Sequence, residues 1–300
     1  MAATTPLPPK GIQGFKIFLY VLYGLSFAIY LFLAIDGFSF YSSPYSIRPH
    51  HDDYRALRPA GLIGHTYGVI GSAFMIFMLS YTLRKRLKFM RNWGMLNRWL
   101  DIHIYFGIMG PLLVILHTSF KVQGLVAVSF WSMIAVASSG IFGRYLYLQI
   151  PRNIQGDEVG IKDLEETDKQ YTSQLQREFG LSDDVIKRLE ERDTVKIVEG
   201  SGAVRVLYTV LKEDALRPFR AARRHAEHAD LKNVPPELRR KVVRIAHRKS
   251  LLTRRILLLN HMQQLFHYWH VIHKPFAIIM YTIMIIHVGV AIWTGYRWIF

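Results

Sequence analysis

Cysteine is absent from this 300-residue chain. That excludes disulfides, thiolate zinc sites, cysteine-ligated iron–sulfur clusters and covalent heme attachment through Cys-x-x-Cys-His. A Walker motif and a G-x-G-x-x-G fingerprint are also missing. Gly200 and Gly202, in Glu199-Gly-Ser-Gly202, read as turn residues, so nothing indicates a nucleotide, nicotinamide or flavin site. Acids are scarce, 22 against 38 Lys and Arg, for a net charge of +16. The basic residues cluster beside apolar segments. The positive-inside rule and anionic lipid headgroups account for that placement, and no nucleic-acid partner is expected.

What is present is apolar length and histidine. Hydrophobic residues make up 51% of the chain, and five runs are long enough to span a bilayer. They cover residues 14–35, 61–83, 99–120, 125–150 and 262–300. The first exceeds a usual signal-peptide core and no Ala-x-Ala-like site follows it, so it reads as an uncleaved anchor. Residues 84–98 carry six Lys/Arg and no acid, whereas residues 36–60 balance three arginines against three aspartates. Charge bias therefore places 84–98 in the cytoplasm and 36–60 outside, as an extramembrane loop. With alternating spans, the N-terminus and residues 151–261 are cytoplasmic and the C-terminus is outside.

Residues 151–261 form a polar, mostly helical insert between spans four and five. Ser182 followed by Asp183 and Asp184 marks a helix start, and Pro235-Pro236-Glu237 opens a long basic helix toward the last span. Thr194–Val198 and Val204–Val210 alternate apolar and polar residues, which predicts a short hairpin. From Arg217 to Lys249 there are eleven Lys/Arg against three acids. A solvated face near headgroups explains this polarity; an acidic electron-transfer partner is the sharper reading.

Thirteen histidines are many for this length. His103 and His117 lie fourteen residues apart in span three, and His273 and His287 repeat the interval in span five. Fourteen residues turn an α-helix through about 1400°, leaving each pair within about 40° of one another and roughly 21 Å apart along the axis. One intramembrane histidine can be explained by a hydrogen bond within the bundle. Two pairs with one same-face spacing on two helices call for ligands. Spans three and five are parallel, so His103 meets His273 near the cytoplasmic side, and His117 meets His287 toward the outside. Imidazoles so arranged can hold two heme irons from both axial positions. His267 and His270 fall on other faces and are expected, with Tyr268 and Trp269, in an interfacial aromatic belt.

Gly107 and Gly110 permit close approach of a flat macrocycle between helices. Pro111 would kink span three, and Pro275 marks a break between the basic helix and span five. Arg98, Lys121, Lys274 and Arg297 lie near the membrane edges, where they snorkel or neutralise heme propionates. His65, in Gly64-His-Thr-Tyr-Gly68, has no mate at fourteen residues. It is a candidate for a quinone or proton site, or a packed structural histidine.

Two helices each carrying His-x13-His resemble the transmembrane di-heme cytochromes b, as in cytochrome bc complexes and the ferric reductase and NADPH oxidase membrane cores. The segments Trp99-Leu-Asp-Ile-His-Ile-Tyr-Phe-Gly107, Gly140-Ile-Phe-Gly-Arg-Tyr-Leu-Tyr147 and Phe266-His-Tyr-Trp-His-Val-Ile-His-Lys-Pro-Phe276 look like bacterial membrane proteins of that kind. The resemblance covers spans two to five. It implies bis-histidine ligation, electron transfer across a bacterial inner membrane, and a quinone or quinol at the lipid side. The chain departs from ferric reductases in lacking a flavin or nicotinamide domain, and from bc-type cytochrome b in its basic insert.

The expectation is an all-α membrane protein: five transmembrane helices forming a heme-binding helix bundle, with a small, mostly helical cytoplasmic insert. Two b-type hemes would carry electrons between a quinone pool and a partner redox protein bearing iron–sulfur, flavin or multiheme centres. The rivals are a transporter or channel whose histidines relay protons or bind a metal ion, and a scaffold subunit.

Overall fold

The computed structural model describes residues 10–90, 92–151, 160–191, 202–224 and 235–295. Among these, the secondary structure is helical throughout, with no strand. In chain order the helices are α1 (Lys10–Asp36), α2 (Phe38–Ser42), α3 (Tyr54–Leu57), α4 (Leu62–Met78), α5 (Ser80–Arg86), α6 (Leu96–His117), α7 (Gly124–Gln149), α8 (Ile161–Phe179), α9 (Asp183–Glu191), α10 (Ala203–Arg224) and α11 (Pro236–Trp293). Five segments are long and apolar enough to cross a membrane: Gly14–Asp36, Tyr54–Arg86, Leu96–His117, Gly124–Gln149 and a stretch within Glu237–Trp293. Even the shortest, at 22 residues, rises about 33 Å, enough for a ~30 Å hydrocarbon core. The protein is a multi-pass membrane protein.

Two compact units divide the chain. One comprises Met1–Gly140 with His273–Phe300, the other Ile141–Ile272. In the first, α4 and α6 pack backbone to backbone. A Cβ on Gly71 would stand 3.1 Å from the Gly110 carbonyl oxygen, and one on Gly110 would stand 3.2 Å from that of Gly71. Lipid gives apolar side chains no reason to cluster, so helices associate where small residues let their backbones approach. At Gly110, then, the close approach is made by α4. Met75, Met133, Met280 and Met284 fill the space where α4, α7 and α11 meet, a role suited to flexible thioethers. Ser129 Oγ donates to the Met280 carbonyl at 3.0 Å, and Tyr281 OH to that of Met75 at 2.6 Å. These bonds fix α11 to α7 and α4. On α1, Ser26 Oγ and Tyr105 OH of α6 lie 2.6 Å apart, with Tyr23 edge-on to the same ring.

Residues 38–57 do more than connect spans. Phe40, Tyr41 and Leu57 are buried with Tyr67 and Leu116 in one apolar cluster. The buried Arg48 guanidinium donates to the carbonyls of Ser43 (3.0 Å), Tyr41 (2.6 Å) and Ser119 (2.6 Å). Ser119 and Phe120, which end α6, hold φ of 47° and 61°, a left-handed conformation that costs a side-chain-bearing residue about 1–2 kcal/mol. Arg48, the Ser119 Oγ bond to the Leu57 carbonyl and the Tyr45 OH bond to that of Phe120 hold this turn. Burial pushes the Tyr41 phenol above the ordinary tyrosine range, reinforced by Tyr67 and Tyr30 and opposed by Arg48.

In the second unit, Leu146, Ile150, Leu164, Val206, Val210, Leu258, Leu259, Met262 and Leu265 form one core and Leu175, Leu181, Ile186, Val242, Ile245 and Ala246 another. Helix α9 starts after Ser182, whose carbonyl accepts from Val185 and Ile186, and α11 starts at Pro236, as the cap signals predict. Two expectations need correction. Val204–Val210 lies inside α10, while its partner Thr194–Val198 falls outside the described residues. Val206 and Val210, four residues apart and both fully buried, belong to a helical stripe that an alternating pattern also accommodates. Nor does Pro275 end a helix: α11 runs through it without interruption. Proline removes one backbone donor, and the turns on either side continue.

Candidate functional site

His103 lies on α6 opposite the end of α4. Its Nδ1 stands 2.9 Å from the carbonyl oxygen of Met78, the last residue of that helix, where carbonyls are released from the intrahelical ladder. Tyr81 packs its ring 5.4 Å from the imidazole. His117, at the other end of α6, places Nδ1 2.9 Å from the Gly64 carbonyl. Its ring lies across the α4 backbone at Gly68, where a Cβ would meet Nδ1 at 2.6 Å and Cε1 at 2.8 Å. His273, on α11, places Nδ1 2.8 Å from Ser139 Oγ of α7.

Two of these partners decide a tautomer. A carbonyl oxygen only accepts, so Nδ1 of His103 and of His117 carries the proton. Ser139 can act either way, and its Oγ also lies 3.0 Å from the Val136 carbonyl oxygen. The contact with His273 is therefore satisfied by either tautomer of that ring. In His103 and His117 the neutral imidazole has its lone pair on Nε2. An imidazole ligates a metal from that form, with the opposite N–H held by a carbonyl or hydroxyl that fixes ring orientation.

His287 is exposed in this chain. It lies within electrostatic reach of His65, and His117 within reach of both. The structure therefore brings His65, His117 and His287 into one neighbourhood. His103 and His273 are held by α4 and α7 respectively. Gly107 has only the Met78 sulfur near the place of its missing side chain, at 3.8 Å.

The three partners that hold these rings were not singled out as ligand supports in the sequence. Ser139 is a small residue within an apolar span, and the Met78 and Gly64 carbonyls belong to backbone that any residue carries. One signal was available: Gly64, Gly68 and Gly71 recur at intervals of four and three, the small-residue spacing of a close helix contact.

The expected aromatic belt is only partly interfacial. His267 and Tyr268 are exposed, but Trp269 sits against the α7 backbone at Gly143, where no Cβ would fit. His270 donates Nδ1 to the Phe266 carbonyl at 2.9 Å and stands edge-on to Phe266 and Trp269, 4.5 Å from each. Lys121 and Lys274 are exposed, Arg98 lies over Phe15 at 5.3 Å, and Arg297 falls outside the described residues.

No family model matches the chain, and neither a curated protein nor a solved structure matches it.

Proposed function

We propose that the protein is a di-heme b-type cytochrome subunit that carries electrons across a membrane, between a quinone or quinol pool and a partner redox protein. The observation that carries this reading is that Nδ1 of His103, His117 and His273 is in each case engaged by an oxygen of a neighbouring helix. His103 with His273 would hold one heme and His117 with His287 the other, each heme supplying a one-electron iron couple when bound. The residues themselves orient the rings. Met78 and Gly64 fix the α6 imidazoles through their carbonyls, Ser139 fixes His273, and Gly68 leaves room for the His117 ring. The fourteen-residue interval sets the two sites about 21 Å apart along each helix, most of the ~30 Å hydrocarbon thickness.

The partner would be an iron–sulfur, flavin or multiheme protein, because the chain has no cysteine or dinucleotide motif of its own. The membrane would be a bacterial inner membrane, as the resemblance implies, and the charge bias of residues 84–98 would put the N-terminus and residues 151–261 in the cytoplasm and the C-terminus outside. His65, within electrostatic reach of His117 and His287, would hydrogen-bond a quinone or exchange a proton.

That three-histidine neighbourhood also supports a second reading, without heme. The rival is a histidine-containing proton or metal-ion transporter or channel subunit. One preparation separates the two. Protein purified from heme-sufficient cells should be red, with a reducible b-type spectrum and about two hemes per chain. A colourless, heme-free preparation would reject the cytochrome reading.

A further inference from the structure

Arg254, on the basic stretch of α11, is 4% exposed and lies one turn before the core residue Leu258. One edge of its guanidinium is satisfied: Nη1 donates to Asp214 Oδ1 at 2.7 Å. Asp214 is itself well supplied, since Tyr145 OH donates to Oδ2 at 2.9 Å and Gln149 Nε2 at 3.3 Å. The other edge is not. Nε and Nη2 are both fully buried and have no hydrogen-bond partner among the described residues. Leaving charged donors buried and unmet is costly, and native structures rarely do so without a reason.

The geometry of the orphaned atoms is informative. In a guanidinium, Nε–H and one Nη2–H point the same way in one plane, forming the side-on fork that grips two oxygens of a phosphate or carboxylate. The Asp214 contact uses Nη1 and leaves this fork whole. The surroundings favour an anion as well. Between Glu237 and Arg255, α11 carries eight Lys/Arg and no acid besides Glu237, a field that attracts negative charge. Tyr145 and Gln149 belong to the last turns of the candidate span Gly124–Gln149, the depth at which lipid phosphates lie.

We propose that the Nε/Nη2 edge of Arg254 is a phosphate-binding site, with Asp214, Tyr145 and Gln149 holding the guanidinium so that its fork faces the bound group. The phosphate is carried by an anionic phospholipid headgroup or is free inorganic phosphate. This site is independent of the histidines, and its failure would leave the cytochrome reading untouched.

The test uses the full chain purified in phosphate-free buffer. Native mass spectrometry should find one phosphate-bearing adduct that survives collisional activation, and its mass identifies lipid or inorganic phosphate. R254K keeps the charge but loses the fork, and should retain the adduct at least about tenfold less well. Wild-type protein stripped of phosphorus provides a second measurement that needs no variant. Its unfolding midpoint should rise on adding either inorganic phosphate or dihexanoyl-phosphatidylglycerol, and more than with dihexanoylglycerol, which lacks phosphate. An adduct held equally by R254K, or stripped protein indifferent to both phosphate probes, would overturn the proposal. Water would then be what meets the fork.

Discussion

The imidazole of His117 lies directly across the backbone of Gly68, with no room between them for even a methyl group. The same ring reaches one turn back along α4 to the Gly64 carbonyl. The position of a proposed ligand on one helix is thus set by what another helix lacks. G68A should push His117 off its carbonyl and lower heme content from about two to about one per chain. Gly24 on α1 has nothing within 4 Å of where its Cβ would lie, so G24A is the matched control and should leave content unchanged. Pyridine hemochrome assay of both variants makes the comparison. Equal content would separate the Gly68 contact from ligation.

Ser139 makes a different claim on His273. Its Oγ hydrogen-bonds both the Val136 carbonyl and the His273 ring, so removing it takes away the partner that orients the ring. Loss of such an outer partner typically weakens a metal site by about 10–100-fold. S139A should therefore release one heme about tenfold more readily and shift the midpoint potential of that heme alone. S139T keeps the hydroxyl and should behave like the parent chain. Redox titration of the three proteins resolves the two components, and identical potentials in S139A would deny Ser139 this role.

Much of the architecture is written in local pattern. The five spans are apolar runs, α9 follows its serine, and α11 begins at its proline. What the pattern conceals depends on partners far along the chain. Arg48 reads as one of three arginines in a polar loop, yet its strongest bonds run to Tyr41 and to Ser119, the latter 71 residues away. The His-x13-His interval identifies the rings that share a helix face. The atoms that hold them belong to α4 and α7, and no single-helix periodicity names those. Val204–Val210 misleads because valines at 204, 206 and 210 satisfy both a two-residue and a four-residue repeat; burial of Val206 and Val210 along one stripe decides for the helix.

Arg48 offers a stability prediction. Three carbonyl oxygens converge on its guanidinium, one of them at the left-handed turn that ends α6. R48A leaves those oxygens buried without their charged donor and should destabilise the first unit by about 2–4 kcal/mol. R48K places one charge among acceptors set for a planar fork and should recover little of that loss. Thermal unfolding in detergent reads both. A midpoint unchanged in R48A would mean that the turn is held without the clamp.

The ligand pairing is tested by removing one ring at a time. His117 and His287 share a neighbourhood with His65, and His273 is tied to Ser139 about 21 Å away along α11. H287A should therefore remove the heme shared with His117 and leave the other spectrally intact. H273A should do the reverse. His65 complicates the first outcome in a useful way, because a third imidazole nearby can take over as ligand. If H287A retains two hemes, the double variant H65A/H287A decides between substitution and error. Loss of one heme only in the double variant assigns His65 as the replacement ligand. Two hemes retained there would reject His287 as a ligand altogether.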